Sequence, residues 1–484
     1  MTSALQEAFN AVSPRLNPRR AGGPATIIHV SVFLLWIILF ARAFFLQGWV
    51  AWSIGVAYIV YDTLLLMFVA ARSISLVKPP VVLSRTEIAA GLPTLGVIVA
   101  SHNEASVLPI TLKGLFEQIE GPAKIVIADD GSSDGTALLL NQTYGIATPE
   151  EGRLSVPSTI HPHLYWLRLP HGGKARALNV AIDLLDTDII MTVDADTRLA
   201  DDAVLAMRSA FLADPKLVAA TGILVPICAK TFSGRLMQAF QTYEYIRNFI
   251  ARFAWMNAHS LLLVSGAFAS FRRDALRRVG GFDPHCLTED YELIHRLHRF
   301  SVDNDLGWQV RVLGNAQALT DAPGTLGSFM RQRRRWFAGF LQTQYWNQDM
   351  VGNRRYRTLG TLMLPVKSFD TVQPLYGLTA FVLLLMFLVE RHGSIVIPIF
   401  SIISLKIVID FAYHLWTVHL YQRWTGGRAH AHMGLAILIA IVEPFSFQLL
   451  RHLSATWGWL YFLSGGRAWG RQHRTGLTSA PSED

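Results

Sequence analysis

The stretch Asp188-Ile189-Ile190-Met191-Thr192-Val193-Asp194-Ala195-Asp196 decides the fold. Its run of apolar and β-branched residues reads as a buried strand that stops at an acidic pair. A spacing of two puts both carboxylates on one side of an extended chain. At a strand end, Asp194 and Asp196 suit a hard cation, Mg²⁺ or Mn²⁺, which takes oxygen ligands and bridges diphosphate oxygens. An isolated Asp-x-Asp is usually a surface turn. The metal assignment rests on the strand that feeds this one and on the partners around it.

Similar strands lie upstream. Leu95-Gly96-Val97-Ile98-Val99-Ala100 is one, followed by a helical stretch at 107–118. Lys124-Ile125-Val126-Ile127-Ala128 is the next, ending at Asp129-Asp130-Gly131, and Asp134-Gly135-Thr136 opens a helix after it. Tyr165-Trp166-Leu167-Arg168-Leu169 is another, followed by a helix at 174–185. Strands alternating with helices predict a mainly parallel, doubly wound α/β sheet, which binds ligands beyond the carboxyl ends of its strands. Both Asp clusters lie there.

The flanks differ from this α/β centre. The chain has 484 residues, of which 51% are hydrophobic and 16% charged, too apolar for an ordinary soluble enzyme. Apolar runs at 26–46 and 49–69 are each long enough to cross about 30 Å of hydrocarbon. The first is too long for a cleavable signal peptide. After residue 362 further runs occupy 362–389, 395–421 and 433–463, the last carrying Glu443-Pro444. Pro444 suggests either two short passes or one broken span. Arg15, Arg19 and Arg20 precede the first pair of runs, Arg72, Lys78 and Arg85 follow it, and the turn Gln47-Gly48 is uncharged. Arg423, Arg428, Arg467, Arg471 and Arg474 flank the last run. The positive-inside rule therefore puts both termini and the α/β centre in the cytoplasm. The net charge of +8 is explained by these loops, so no nucleic-acid partner is expected. Cys228 and Cys286 have no disulfide or zinc spacing and read as small buried hydrophobes.

The expected division is a cytosolic tail at 1–25, two transmembrane helices in 26–71 and a cytosolic catalytic domain at 72–361. A region of three or four passes at 362–464 and a cytosolic tail at 465–484 follow. Interface helices are expected near 233–256 and 328–345. In the former Phe240, Tyr243, Ile246, Ile250 and Phe253 form an apolar stripe, while Gln241, Glu244, Asn248 and Arg252 face elsewhere.

The polar clusters of the centre spell a reaction. A carboxylate of Asp129 or Asp130 can accept hydrogen bonds from a nucleotide base or ribose, and Gly131 allows close approach. The bland alternative is helix capping, because Ser132, Ser133 and Asp134 are cap residues. Gly172-Gly173-Lys174 precedes a helix, so backbone N–H groups and an ammonium can face a phosphate. Thr288-Glu289-Asp290 opens a helix; Asp290 is the candidate general base and Glu289 the second choice. Gln332, Arg335 and Trp336 fall at i, i+3 and i+4 and share a helix face. Arg335 can neutralise a departing diphosphate, and Trp336 can stack on an acceptor sugar. Arg333 and Arg334 read instead as a basic membrane-surface face.

Together Ser101-His102-Asn103-Glu104, Asp129-Asp130-Gly131-Ser132, Gly173-Lys174-Ala175, Asp194-Ala195-Asp196, Ser265-Gly266-Ala267, Phe271-Arg272-Arg273, Gly280-Gly281-Phe282-Asp283, Thr288-Glu289-Asp290 and Gln332 to Trp336 resemble the membrane-integrated family-2 glycosyltransferases. These include cellulose, chitin-type, hyaluronan and poly-N-acetylglucosamine synthases. The resemblance covers about residues 95–345 by motif and the spans by layout. It implies a GT-A fold, a UDP-sugar donor (UDP-glucose or UDP-N-acetylglucosamine), a divalent metal and inversion to a β-linkage. It assigns Asp290 as the base and the motif from Gln332 to Trp336 to the acceptor end, with Gln332 and Trp336 expected on the acceptor; the expected donor-binding residues are Glu104, Asp129, Asp130, Lys174, Asp194 and Arg335. The Thr-Glu-Asp form is nearer cellulose and poly-N-acetylglucosamine synthases than hyaluronan synthase. The short segment after residue 463 leaves no room for the nucleotide-sensing domain that some cellulose synthases append.

Lys406, Asp410 and His414 recur every fourth residue inside an apolar run, and Asp62, Asp370 and Glu443 lie in others. Intramembrane ionisable groups usually face a bundle interior or a wet cavity. The stripe suits a polysaccharide channel, with interhelical salt bridges as the alternative. The expected protein is a processive synthase of a bacterial inner membrane, in contact with lipids, that extrudes its polymer with accessory export subunits as possible partners. Addition of one sugar to a lipid acceptor is the alternative, and a nucleotide-binding transporter fails to explain Asp290.

Overall fold

The computed structural model describes residues 3–46, 48–77, 91–390, 393–427, 433–466 and 476–479. Gln47, Lys78, Arg85, Arg428, Arg467, Arg471 and Arg474, used above to orient the chain, lie outside the described residues.

The apolar runs at the centre pair into one eight-stranded sheet of order β3-β2-β1-β4-β7-β6-β8-β5. Its strands are β1 (Leu95–Ser101), β2 (Lys124–Asp130), β3 (Leu164–Leu169), β4 (Ile189–Asp194), β5 (Thr197–Leu199), β6 (Leu217–Ile227), β7 (Phe268–Arg272) and β8 (Gln309–Asp321). Strands β1 to β4 are mutually parallel, and β1, β2 and β4 are buried almost throughout, as expected for strands covered on both faces. The register sets Ala100 beside Asp194 and Ser101 beside Asp129, so the ends of β1, β2 and β4 line up along one edge.

The sheet is mainly parallel, as expected: β1 to β4, β6 and β8 share one direction, and β7 and β5 oppose it. β7 runs antiparallel between β4 and β6, and β5 runs antiparallel to β8. Side-chain periodicity reports burial but carries no strand direction, and β7 returns to the sheet only after a long helical excursion.

That excursion is the helix Phe232–Asn257, capped by Thr231 Oγ1, which accepts from Gly234 N at 3.0 Å. Part of its polar side is covered, while Asn248 stays exposed. Gln241 and Glu244 are buried with the apolar stripe, because Leu326–Trp346 packs against that side. Gln241 Nε2 donates to Pro323 O at 2.9 Å and Arg333 Nη2 to Glu244 at 2.5 Å. Arg334 is likewise covered, with its guanidinium over Trp457 and Tyr461. The surface-helix interpretation of Arg333 and Arg334 is therefore replaced by a buried interface.

Among the described residues, Gly23–Arg42, Trp49–Val77, Leu359–Val389 and Val396–Trp424 are helical stretches long and apolar enough to cross a membrane. Met433–Phe445 and Phe447–Leu463 are bent by 49° at the break after Glu443-Pro444. The second limb lies along Leu326–Trp346, with Gly458 against Phe337. Aromatic donors tie the spans together: Trp52 Nε1 to Ala380 O at 2.8 Å and Tyr376 OH to Val32 O at 2.7 Å. Arg15 and Arg19, first assigned to the membrane flank, are paired with Asp283 and Asp303 at 2.8 and 2.6 Å. The N-terminal segment thus lies against the α/β domain.

Candidate active site

The aligned ends of β1, β2 and β4 open into a cavity of about 1530 Å³. Glu104, Asp130, Lys174, Asp194, Asp196, Glu289, Asp290, Gln332, Arg335 and Trp336 all line it. Every candidate residue from the sequence except Asp129 therefore meets in one space. Asp129 is buried, and its carboxylate accepts from Ser132 N at 2.9 Å and Trp166 Nε1 at 3.1 Å. It holds the turn after β2.

Asp130 faces the cavity but is heavily engaged. Its Oδ1 accepts from Gly172 N at 2.8 Å, and its Oδ2 from Gly173 N at 2.9 Å. These are the backbone donors that the sequence assigned to a phosphate; here they clamp two loops together. The clamp explains Gly131, whose φ is +70° and where an added Cβ would lie 2.6 Å from His171 N. The close approach is between two loops of the chain.

Lys174 begins the helix Lys174–Leu184 and points across to β4. Its Nζ lies 2.5 Å from Asp194 Oδ1 and 3.6 Å from Glu289 Oε1. Burial disfavours its ammonium, but Asp194, Glu289 and Asp290 outweigh that and raise its pKa. Burial also pushes the Glu289 carboxyl up, against the pull of Lys174 and with the push of Asp290.

Asp290 sits in the first turn of Glu289–Asp303. Its Oδ2 accepts from Gly266 N at 2.8 Å and its Oδ1 from Tyr291 N at 2.8 Å, so two backbone donors fix its orientation. Gly266 was quoted in Ser265-Gly266-Ala267 without a role. An added Cβ there would meet Asp290 Cβ at 3.3 Å, which accounts for a glycine beside the acid. Arg335 Nη1 donates to Leu287 O at 2.9 Å just before that helix. Gln332 is buried with its Oε1 unpartnered among the described residues, and the Arg333 guanidinium lies over the Trp336 ring at 4.2 Å.

Two sets of residues could hold a metal. At the end of β4, Asp194 and Asp196 supply carboxylate oxygens, and the Lys174 ammonium already stands against Asp194 as a cation. This donor set fits a hard divalent ion. The second set went unread: His102, Asp130 and His171 bring ligand atoms within 4.8 Å of one another. The sequence held no signal for it, since the two histidines lie on separate loops. Their rings stack at 4.4 Å, and both Nδ1 atoms hydrogen-bond to Asp130 O.

The cavity continues past Asp290 and Trp336 into the helical region. There Asp62, Glu244, Arg247, Arg252, Asp410, His414, Glu443 and Arg451 line it. Lys406 bridges Asp62, at 2.5 Å, and Asp410. The salt-bridge alternative thus holds for Lys406. His414 is buried, with both ring nitrogens unpartnered among the described residues.

A family model described as glycosyl transferase family 2 matches residues 96–280, and one described as glycosyl transferase family group 2 matches residues 189–413. A poly-beta-1,6-N-acetyl-D-glucosamine synthase of Staphylococcus epidermidis is 31% identical over 261 residues, covering 52% of this chain and 56% of the relative. One from Staphylococcus aureus strain COL is 30% identical over 249 residues, 50% and 53% of the two chains. The chain thus spans a little over half the length of these curated relatives. The structure of the mannosyltransferase PcManGT from Pyrobaculum calidifontis, in complex with GDP-Man and Mn²⁺, matches with a TM-score of 0.54 at 19% identity. That match covers 82% of this chain and 99% of that one, and it shows a shared GT-A-like fold.

Proposed function

We propose that this membrane protein, whose residues 96–280 match glycosyl transferase family 2 and residues 189–413 match glycosyl transferase family group 2, is an inverting, processive β-glycosyltransferase. It takes UDP-glucose or UDP-N-acetylglucosamine as donor and passes the growing polysaccharide into its own helical region. One observation carries this proposal: the cavity that holds Asp194, Asp290 and Trp336 is continuous with the one lined by Asp62, Asp410 and His414.

In this mechanism Asp290 removes the proton of the acceptor hydroxyl as that oxygen attacks the anomeric carbon from the face opposite the diphosphate. The Gly266 and Tyr291 N–H groups keep its carboxylate aimed. Lys174 and Arg335 place positive charge on the departing diphosphate. Asp130 and Glu104 border the nucleotide, while Gln332 and Trp336 hold the acceptor sugar. Asp194 and Asp196 would hold Mg²⁺ or Mn²⁺, which supplies further neutralisation of the leaving group when bound. The catalytic domain lies on the cytoplasmic face of a bacterial inner membrane, where UDP-sugars are made.

The test is to incubate the protein in lipid vesicles with each UDP-sugar, follow UDP release and size the product. Long chains are expected. A product carrying one added sugar on a lipid would replace processive synthesis with single transfer.

A further inference from the structure

The helix Phe232–Asn257 runs between the α/β domain and the spans, and most cations in or beside the cavity are matched by carboxylates. Arg333 meets Glu244 at 2.5 Å, Arg451 meets Glu443 at 3.0 Å and Arg247 also meets Glu443. Lys367 meets Asp370 at 2.6 Å and Lys406 meets Asp62 at 2.5 Å.

Arg252 breaks the pattern. It lines the cavity, yet its Nε and Nη1 are buried without a hydrogen-bond partner, and no carboxylate lies within 4.0 Å of it among the described residues. Its recorded contact is with the Phe249 ring, 4.6 Å from the guanidinium carbon. Burial pulls its pKa down to about 10, with Tyr245 and Asp290 opposing that, so it stays charged at neutral pH. Buried charges are normally paired. A guanidinium left unpaired in a ligand cavity demands an anion, and its fork of donors matches the oxygens of a carboxylate or phosphate.

Position says which reactant brings that anion. The donor's diphosphate end is provided for by Lys174, Arg335, Asp194 and Asp196. Arg252 comes from the membrane side: one turn along its helix, the Trp255 ring packs at a tilt against Phe68 of the second span, 4.6 Å between centroids. The catalytic group whose charge reaches it is Asp290, the base proposed to act on the acceptor.

We propose that Arg252 binds an acidic oxygen group, a carboxylate or a phosphate, carried by the acceptor. The inference rests on the transferase function above. Two sources share this chemistry: a uronate residue that a second, uronate-bearing nucleotide-sugar donor adds to the polysaccharide, and the phosphate of a lipid-linked sugar.

The experiment uses the full chain in phosphatidylcholine vesicles and measures UDP release. Three acceptors of matched length are compared: a neutral β-linked oligosaccharide, the same oligosaccharide ending in glucuronate, and a prenyl-phosphate-linked glycoside. At least one acidic acceptor is expected to show a KM about 10-fold or more below the neutral one, the scale of a charge-assisted hydrogen bond. Preference for the uronate identifies the polymer as the source; preference for the phosphate identifies the lipid. Arg252→Gln removes the preference while the KM for the UDP-sugar stays unchanged, and Arg252→Lys retains part of it. Equal KM values for neutral and acidic acceptors, or a preference that survives Arg252→Gln, overturn this inference and leave the transferase intact. Absence of UDP release with every acceptor and donor overturns both.

Discussion

Two lysines of this protein each stand between two carboxylates that line the same cavity. Lys174 bridges Asp194 and Glu289; Lys406 bridges Asp62 and Asp410. Their assembly differs. Lys174, Asp194 and Glu289 come from a helix start, a strand end and a second helix start, and only the sheet brings them together. Lys406 and Asp410 lie one turn apart on a single helix, and the trio needs only one neighbour, the second span. Around Lys174 stand Asp290, Asp196 and Arg335, the groups that transfer chemistry needs. Around Lys406 stand spans. An ion-pair pattern is therefore not evidence of chemistry by itself; its neighbours decide whether the charge is exchanged with a ligand or kept as a tie.

The largest expected effect breaks the chemical end. Asp290→Asn should leave UDP binding intact and lower UDP release by at least about 10²-fold, the lower bound for a lost general base. Unchanged turnover would move the base to Glu289 and recast Lys174 as the partner of the catalytic acid. Next comes the direct contrast of the lysines. Lys174→Met should weaken UDP affinity and turnover by about 10-fold or more, the scale of one charge-assisted contact. Lys406→Met should leave UDP affinity alone and reduce yield instead, because two carboxylates then lack their cation. Equal loss of UDP affinity in both, by titration, would erase the distinction drawn here.

The membrane trio can be tested as a unit. Because Asp62 joins Lys406 and Asp410, an apolar control must replace all three: Asp62→Leu, Lys406→Met and Asp410→Leu together. Replacing a buried ionic set with apolar residues can be near neutral for stability. The triple variant should insert and release UDP yet make shorter chains. Polymer of normal length would make the trio a structural tie alone.

The smallest effect concerns the helix that carries Glu289 and Asp290. His295 on that helix is fully buried, and burial pulls its imidazole down to about 3 from an ordinary value near 6.5. Between those values the unfolded chain holds the extra proton, so stability rises with pH there. This contribution is complete above pH 6.5 and is lost as pH falls toward 3. At pH 5 the loss amounts to at most about 2 kcal/mol. Thermal melts of His295→Gln should show a shallower decline from pH 7 to 5; an identical decline would clear His295.

Much of the site was legible because its residues end strands or begin helices, where local pattern and chemistry coincide. Asp194, Lys174, Glu289 and Asp290 were all named from such positions. The failures share a cause. Asp129 and Asp130 are neighbours of one type, and only the packing of Trp166 and of the 171–173 loop separates a turn-holding acid from a cavity-lining one. Glycine N–H groups before a helix look like a phosphate cradle until Asp130 is seen to occupy them. Arg252, on the helix side read as facing away from the apolar stripe, proved to line the cavity.

Periodicity and composition alone determined the α/β centre, the apolar flanks and the acidic strand end, because burial on a strand or helix leaves its mark residue by residue. Tertiary structure alone decided the antiparallel insertion of β7, the burial of Arg333 against Glu244, and which lysine stands beside the reacting groups. Those depend on which distant surfaces meet. Strand direction and ion pairing across hundreds of residues leave no periodic trace in the chain, since each partner alone looks like any other charged or apolar residue.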